Sequence, residues 1–338
     1  MIETIKQPHK FKTDILMVTL KDVARELGLS TGTVSMALNN SPRISAETAR
    51  QVRAAVRALE YTPNHFGRGL RSGKSRLIGY FSNHLNASFF AEIFQGAGEK
   101  LAEHDYGILS CWPAQNSAGG ISRNLDMMLG KNVDGIIFVG GDWLLLGEEA
   151  FRMLNDRRIP FVFCSRYCAD YHVPFIVTDD LLGGELAANC LLERGHRVIL
   201  CESNDSIERR MRGNFNAINR YSDAKSVVFY QLEEVPALVR KHHATAVLTF
   251  SDQHAFDVMN LLRRNGLRVP EDVSVVGYDD IEYAARPEFS LTTIRQQRKK
   301  LGELVATYLL ERLDGRTPEP EQLLAPELVV RGSVRSLP

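Results

Sequence analysis

Hydrophobic positions recur with two different periods along the chain, and the change of period marks its organisation. Between residues 19 and 39 the spacing is helical. Val23, Ala24 and Leu27 fall on one face, and Val34, Ala37 and Leu38 form the inward face of a second short helix. Thr19 with Asp22 three positions on is a capping-box start, and Gly28 supplies the left-handed turn that ends the first helix. Ser30 caps the second helix, with Leu29 and Val34 placed as a hydrophobic staple across its start. Small Ala24 permits a close crossing, which leaves Thr31, Gly32, Ser35, Met36 and Asn39 pointing outward. A third helix is expected from Ser45 to about Glu60, burying Val52, Val56 and Leu59 and leaving Arg50, Arg53 and Arg57 on other faces. An ordinary helical hairpin shares such caps. The small residue, the glycine and the apolar positions together predict a helix-turn-helix whose second helix reads DNA.

From Arg76 onward, short apolar runs alternate with amphipathic stretches. Runs at 77–81, 135–139, 161–163, 198–200, 246–248 and 273–276 read as strands, and the patterns at 90–102 and 125–128 as helices. That alternation predicts parallel sheets with helices on both faces. About 260 residues of it exceed one comfortable core, so two lobes with a cleft are expected. In such sheets ligands lie beyond the carboxyl ends of the strands, which points to the loops after these runs. Between head and body, Pro63 suits a helix N-terminus. The segment is too short to be helical alone, and Gly67 and Gly69 each cost about 1 kcal/mol relative to Ala.

Charge sharpens this division. The formal net charge is zero, yet residues 18–76 hold ten Lys/Arg against four acids and so carry +6, residues 1–17 carry +1 and the remainder −7. A basic head on an acidic body is the asymmetry of a protein that meets phosphates at one end. The five cysteines, Cys111, Cys164, Cys168, Cys190 and Cys201, form no CxxC pair. Their apolar surroundings predict reduced, buried thiols in a cytoplasmic protein, not disulfides or a metal site. No apolar run approaches about 18 residues, and residues 1–17 lack the apolar centre of a signal peptide, so neither a membrane span nor export is expected. The chain has no P-loop, no nucleophile elbow and no HExxH zinc motif. It is read as a non-enzyme without cofactor.

The stretch from Met17 to Ala24, then Leu29 to Ser35, Tyr61-Thr-Pro-Asn64 and Leu70 resemble the lactose/galactose-repressor (LacI/GalR) family, and the likeness continues to the C-terminus. The resemblance implies an all-α helix-turn-helix head (18–62), a hinge helix (63–74) and a two-lobed α/β body (75–338) like the periplasmic binding proteins, with parallel sheets flanked by helices. The N-lobe would comprise about 75–177 plus 297–324, and the C-lobe about 178–296 plus 325–338. Residues 1–17 would be an N-terminal extension, expected to be disordered. The implied function is a sequence-specific transcriptional regulator, a repressor above all. Its partners would be a pseudo-palindromic operator in double-stranded DNA, a second copy of the chain and a small-molecule effector, expected to be a sugar, with sugar phosphates and nucleobases as the alternatives the same scaffold can read.

Residue by residue, the resemblance places Thr19, Ser30, Thr31, Gly32, Ser35, Met36, Asn39, Ser45 and Asn64 on DNA, and Leu70 as an apolar wedge at a minor-groove base step. In the body it gives Phe90, or else Phe89, a stacking role on the apolar face of the effector. Arg210, in the Arg-x-x-Gly motif ending at Gly213, is placed in the cleft. Asp279, in Gly277-Tyr-Asp, is a hydroxyl acceptor opposite it, with a structural salt bridge between the two as the alternative. Arg166 and Ser251 complete the set; Ser165 and Ser251 stand where the family commonly has Asp and Asn. Asp179-Asp180 with Gly183, and Gly195-His196-Arg197, also match, His196 with a structural role. Five residues follow Ser333, with no heptad tail, so a dimer and not a tetramer is expected. A soluble sugar-binding protein without regulatory role would share the body but not the head.

Overall fold

The computed structural model describes residues 18–61, 74–82, 88–111, 118–166, 173–203 and 208–338. The chain divides into two compact units between Gly73 and Lys74. The expected N-terminal extension, and the expected hinge apart from Lys74, lie outside the described residues.

The head is three helices, α1 (Leu20–Leu27), α2 (Thr31–Leu38) and α3 (Ala46–Ala58). Their ends follow from the polar residues at them. The Asp22 carboxylate accepts both the N–H (3.0 Å) and the hydroxyl (2.6 Å) of Thr19, which holds its pKa below the usual range. Gly28 ends α1 at φ 62°, and the Leu29 N–H returns to the Ala24 carbonyl at 2.9 Å. Ser30 Oγ accepts the Thr33 N–H at 3.0 Å and Ser45 Oγ the Thr48 N–H at 3.1 Å. Val23, Val34, Ala37 and Val52 are fully buried where the helices meet, and Leu27, Leu29, Leu38, Val56 and Leu59 close around them.

In the body the strands are β1 (Leu77–Phe81), β2 (Gly107–Cys111), β3 (Gly135–Val139), β4 (Phe161–Cys164), β5 (Phe175–Thr178), β6 (Val198–Glu202), β7 (Lys225–Phe229), β8 (Ala246–Leu248), β9 (Ser274–Asp279), β10 (Thr292–Arg295), β11 (Glu321–Leu324) and β12 (Glu327–Val329). The helices are α4 (Ser88–Ala102), α5 (Ala118–Gly130), α6 (Gly147–Asp156), α7 (Asp180–Leu192), α8 (Glu208–Ile218), α9 (Val235–His242), α10 (Asp252–Arg264) and α11 (Arg298–Leu313). Two six-stranded sheets result, in the orders β11-β5-β4-β3-β1-β2 and β12-β10-β9-β8-β6-β7. Every pairing is parallel except that of β12 with β10. The first sheet is covered by α4 and α11 on one face and by α5 and α6 on the other. The second carries α7 and α8 on one face and α9 and α10 on the other. No helix among the described residues is long and apolar enough to cross a membrane.

The chain passes between lobes near residues 178, 297 and 325, and side-chain and backbone bonds tie these passages together. Thr178 Oγ1 donates to Gln296 Oε1 at 2.7 Å, the Asp179 N–H to the Leu324 carbonyl at 2.8 Å, and Gln297 Nε2 to the Ala325 carbonyl at 3.1 Å. Each lobe also has one helix pair pressed together over glycines. A Cβ on Gly302 of α11 would run into the Ile93 carbonyl of α4 and lie 2.7 Å from the Ala97 nitrogen. One on Gly213 of α8 would run into the Leu181 carbonyl of α7 and lie 2.9 Å from the Glu185 nitrogen. The hydrophobic runs anticipate β1, β3, β4, β6, β8 and β9. They miss the edge strands β2 and β7, each with a single buried position, and the short β5, β10, β11 and β12.

Candidate nucleic-acid interface and effector site

On the head, Thr31, Gly32, Met36 and Asn39 are exposed and Ser35 is half-buried. Val34 and Ala37 face the core from the same helix, so the outward surface of α2 is what remains after packing is satisfied. Met36 is an exposed large hydrophobic residue. None of Thr31, Gly32 and Met36 can make a bidentate contact to a guanine or adenine edge. Thr19, Ser30 and Ser45 sit exposed at the starts of α1, α2 and α3. Their hydroxyls are already engaged in the capping bonds above. Arg50 pairs with Glu47 and Arg53 Nη1 donates to Asn40 Oδ1 at 3.1 Å, while Arg43 and Arg57 are exposed. Asn64 and Leu70 lie outside the described residues.

In the body, polar and aromatic side chains collect at the carboxyl end of the β9 sheet. Arg210, in the first turn of α8, is buried. Its Nη2 donates to Asp180 Oδ1 at 3.0 Å, its Nη1 to the Phe250 carbonyl, and its guanidinium carbon lies 3.2 Å from the centroid of the Tyr278 ring. The Tyr278 hydroxyl donates to the same Asp180 oxygen at 2.8 Å. The crossing of α7 and α8 over Gly184 and Gly213 is what brings Asp180 and Arg210, each in a first turn, within pairing distance. This accounts for the glycine of the Arg-x-x-Gly motif. Burial works against the Arg210 charge, and the nearby Asp180, Tyr278 and Asp279 outweigh it, so the group stays protonated. Its Nε is buried with no hydrogen-bond partner among the described residues.

Asp279 closes β9 with φ 116°, and its Oδ1 accepts Gln296 Nε2 at 2.7 Å. Burial raises its pKa to about 6 against the opposing pull of Arg210 and the Gln296 bond. The alternative pairing of Arg210 with Asp279 is therefore not the one formed; Asp180 is the ion-pair partner. Sequence reasoning quoted Asp180 as a matching residue without seeing this role. It missed Gln296, which joins Asp279 to Thr178 at the lobe crossing.

The remaining candidates are spread along the carboxyl edges. Phe89 and Phe90 begin α4, half-buried, with ring centroids 5.0 Å apart and nearly perpendicular. Both pack partly against the N-lobe core, and the Arg298 guanidinium lies 6.0 Å from the Phe89 ring. Arg166 follows β4 and lies against Gly141, where a Cβ would be 2.9 Å from its Cδ and Cζ. Ser251 caps α10, its hydroxyl accepting the His254 N–H at 3.3 Å. Its neighbour Asp252 is fully buried and accepts the Thr293 hydroxyl at 2.5 Å and the Ile281 N–H at 2.8 Å. Burial, with Asp279 nearby, pushes its pKa to about 8. His196 is buried between Thr245 Oγ1 (2.9 Å) and the Arg335 carbonyl (3.1 Å), and burial lowers its pKa. The described cysteines, Cys111, Cys164, Cys190 and Cys201, are free and buried, and burial raises each pKa.

Comparison with known proteins extends this picture. Residues 19–64 match the family described as bacterial regulatory proteins, lacI family, and residues 188–334 the periplasmic binding protein-like domain. The chain is 31% identical over 338 residues to the HTH-type transcriptional repressor PurR of Actinobacillus pleuropneumoniae serotype 3 (strain JL03), covering 95% of this chain and 99% of that protein. To PurR of Vibrio atlanticus (strain LGP32) it is 32% identical over 340 residues, covering 95% and 100%. Among solved structures, the lac repressor dimer bound to operator and an anti-inducer superimposes with a TM-score of 0.84 at 25% identity, over 94% of this chain and 99% of that one. A complex of the transcriptional regulator CelR with cellobiose gives a TM-score of 0.66 at 27% identity over 94% and 99%. Likeness of this extent, running through head and body alike, makes the protein a member of the lacI family of bacterial regulatory proteins.

Proposed function

We propose that the protein is a repressor that binds a pseudo-palindromic operator as a homodimer and whose operator affinity is set by a small molecule, a sugar or sugar derivative, held between the lobes of the body. The observation that carries the effector part is the arrangement of Arg210, Asp180, Tyr278 and Asp279 at the carboxyl edge of the β9 sheet. A guanidinium offers a planar fork of donors, and an ionised Asp279 accepts hydroxyl protons. Phe89 or Phe90 would cover the C–H face of a sugar ring from the N-lobe, with Arg166 and Ser251 beside it. The CelR complex with cellobiose supports the same class of ligand.

Control requires a ligand that prefers one lobe arrangement over the other, because a ligand with equal affinity for both shifts nothing. Asp279 joins the crossing segments through Gln296 and Thr178, so a ligand that engages Asp279 acts on the segments about which the lobes move. On the DNA side, Thr31, Gly32, Ser35, Met36 and Asn39 would face base edges and Leu70 would enter the minor groove.

The test uses DNA that the protein selects from a randomised library, followed by fluorescence anisotropy, with the effector found by thermal shift against a sugar panel. Arg210→Ala is expected to bind ligand-free DNA like the wild type and to lose the response to the sugar. A normal response in that variant refutes the site.

A further inference from the structure

One titratable pair in the C-lobe has no part in the site above. Glu202, the last residue of β6, is 4% exposed, and each of its carboxylate oxygens has a partner. Oε2 accepts the Phe250 N–H at 2.7 Å, and Oε1 lies 2.6 Å from His254 Nδ1. The Phe250 carbonyl in turn accepts from Arg210. The two polar groups of one backbone residue therefore connect the Glu202–His254 pair to the Arg210 cluster.

His254 sits in the first turn of α10, two residues after Asp252, and its side chain is 33% exposed. The Phe250 ring stands 5.3 Å from it. With Nδ1 turned to a buried carboxylate, the geometry of the ring directs Nε2 to the opposite side, away from Glu202. A carboxylate behind an imidazole fixes its tautomer and orientation, as it does for metal-ligating and catalytic histidines. A partly exposed imidazole needs no such support merely to fill space.

We propose that His254 is a further effector-contacting residue, holding a hydroxyl oxygen of the sugar through Nε2, and that Glu202 is the residue that positions it. The proposal rests on the effector reading above, and His254 is tied to that candidate set through the 3.3 Å bond from its N–H to Ser251 Oγ. The charges around it fit a neutral ligand: Arg210 is matched by Asp180, His254 by Glu202 and Arg298 by Glu92. The groups facing His254 are Glu202 from β6, Asp257 from its own helix and Asp279 from β9, and all three raise its pKa. The imidazolium thus persists further into the neutral range than an isolated histidine. It donates a charge-assisted bond through Nε2, which weakens once the proton is lost.

The experiment is calorimetry on the full chain with ribose, galactose, glucose and cellobiose as probes, from about pH 6 to about pH 8. The probe that binds the wild type is expected to bind His254→Ala about tenfold more weakly and to recover part of that loss in His254→Gln. Once Asp279, with its pKa of about 6, is ionised, wild-type affinity falls as the pH rises through the titration of His254, and Glu202→Gln moves that midpoint down toward 6.5. Unchanged affinity and pH profile in His254→Ala, with binding lost in Arg210→Ala, overturns this inference alone. Binding retained in Arg210→Ala, or no binding by any of the four sugars, overturns it together with the effector reading.

Discussion

Gly213→Ala isolates the contact on which the effector cluster depends. In an exposed helix this substitution stabilises by about 1 kcal/mol, because alanine restricts the unfolded chain and favours the helix. At Gly213 the new Cβ would meet backbone on three sides: the Leu181 carbonyl, the Glu185 nitrogen at 2.9 Å and the Gly184 Cα at 3.1 Å. None of these is the end of a flexible side chain. Restoring ordinary contact at 3.4 Å moves α8 from α7 by at least 0.5 Å at Glu185, and by more at Leu181. Overpacking of this kind costs roughly 1–3 kcal/mol, which at least cancels the helix gain. The same displacement stretches the 3.0 Å bond between Arg210 and Asp180 out of good hydrogen-bonding range. Gly213→Ala should therefore show none of the stabilisation expected of an exposed site and lower the melting temperature by up to several degrees, at roughly 2–4 °C per kcal/mol for a domain of this size, and weaken the effector response. The control is Gly119→Ala in α5, where nothing among the described residues lies within 4 Å of the added carbon, and which should melt at the wild-type temperature or above. Thermal denaturation of the three proteins followed by effector calorimetry decides the matter. If Gly213→Ala melts and binds like the wild type, the close crossing does not hold the cluster together.

Other consequences can be checked independently. Ser30→Ala removes the cap that accepts the Thr33 N–H, and should cost the head about 0.5–2 kcal/mol by denaturant unfolding, whatever its effect on DNA. Met36→Ala should change base preference at one or two symmetric positions per half-site in a randomised operator library, and unchanged preference rules out base contact by Met36. Asp252 has a folded pKa of about 8 against an ordinary 3.8, so folding favours its protonated form. That contribution is complete below about pH 4 and shrinks as the pH rises to about 8. His254, also raised, acts in the same direction from 6.5 upward. Melting temperature should thus decline from about pH 6.5, above the range in which the lowered His196 and carboxylates act oppositely, toward pH 8, and Asp252→Asn should flatten the decline. An identical pH profile in the variant places the dependence elsewhere.

How much of this was legible in the sequence follows the range of the forces involved. The head was readable almost throughout, since its caps, its left-handed Gly28 and its apolar stripe are local, each acting within a few residues of its cause. Central strands buried on both faces declare themselves as apolar runs, which is why β1, β3, β4, β6, β8 and β9 could be anticipated. The edge strands β2 and β7 alternate exposure too weakly for that, and their pairing partners define them. Arg210 and Asp279 were found through short motifs, but their partners were not. Asp180 is 30 residues from Arg210, Gln296 is 17 from Asp279 and Glu202 is 52 from His254. A charge marks itself in the sequence, whereas the group that neutralises it is chosen by which helices and strands come to lie side by side. Local chemistry along the chain determined the elements, the head and the candidate loops. Tertiary packing, through glycine crossings that let helices touch backbone to backbone, decided which carboxylate each cation meets.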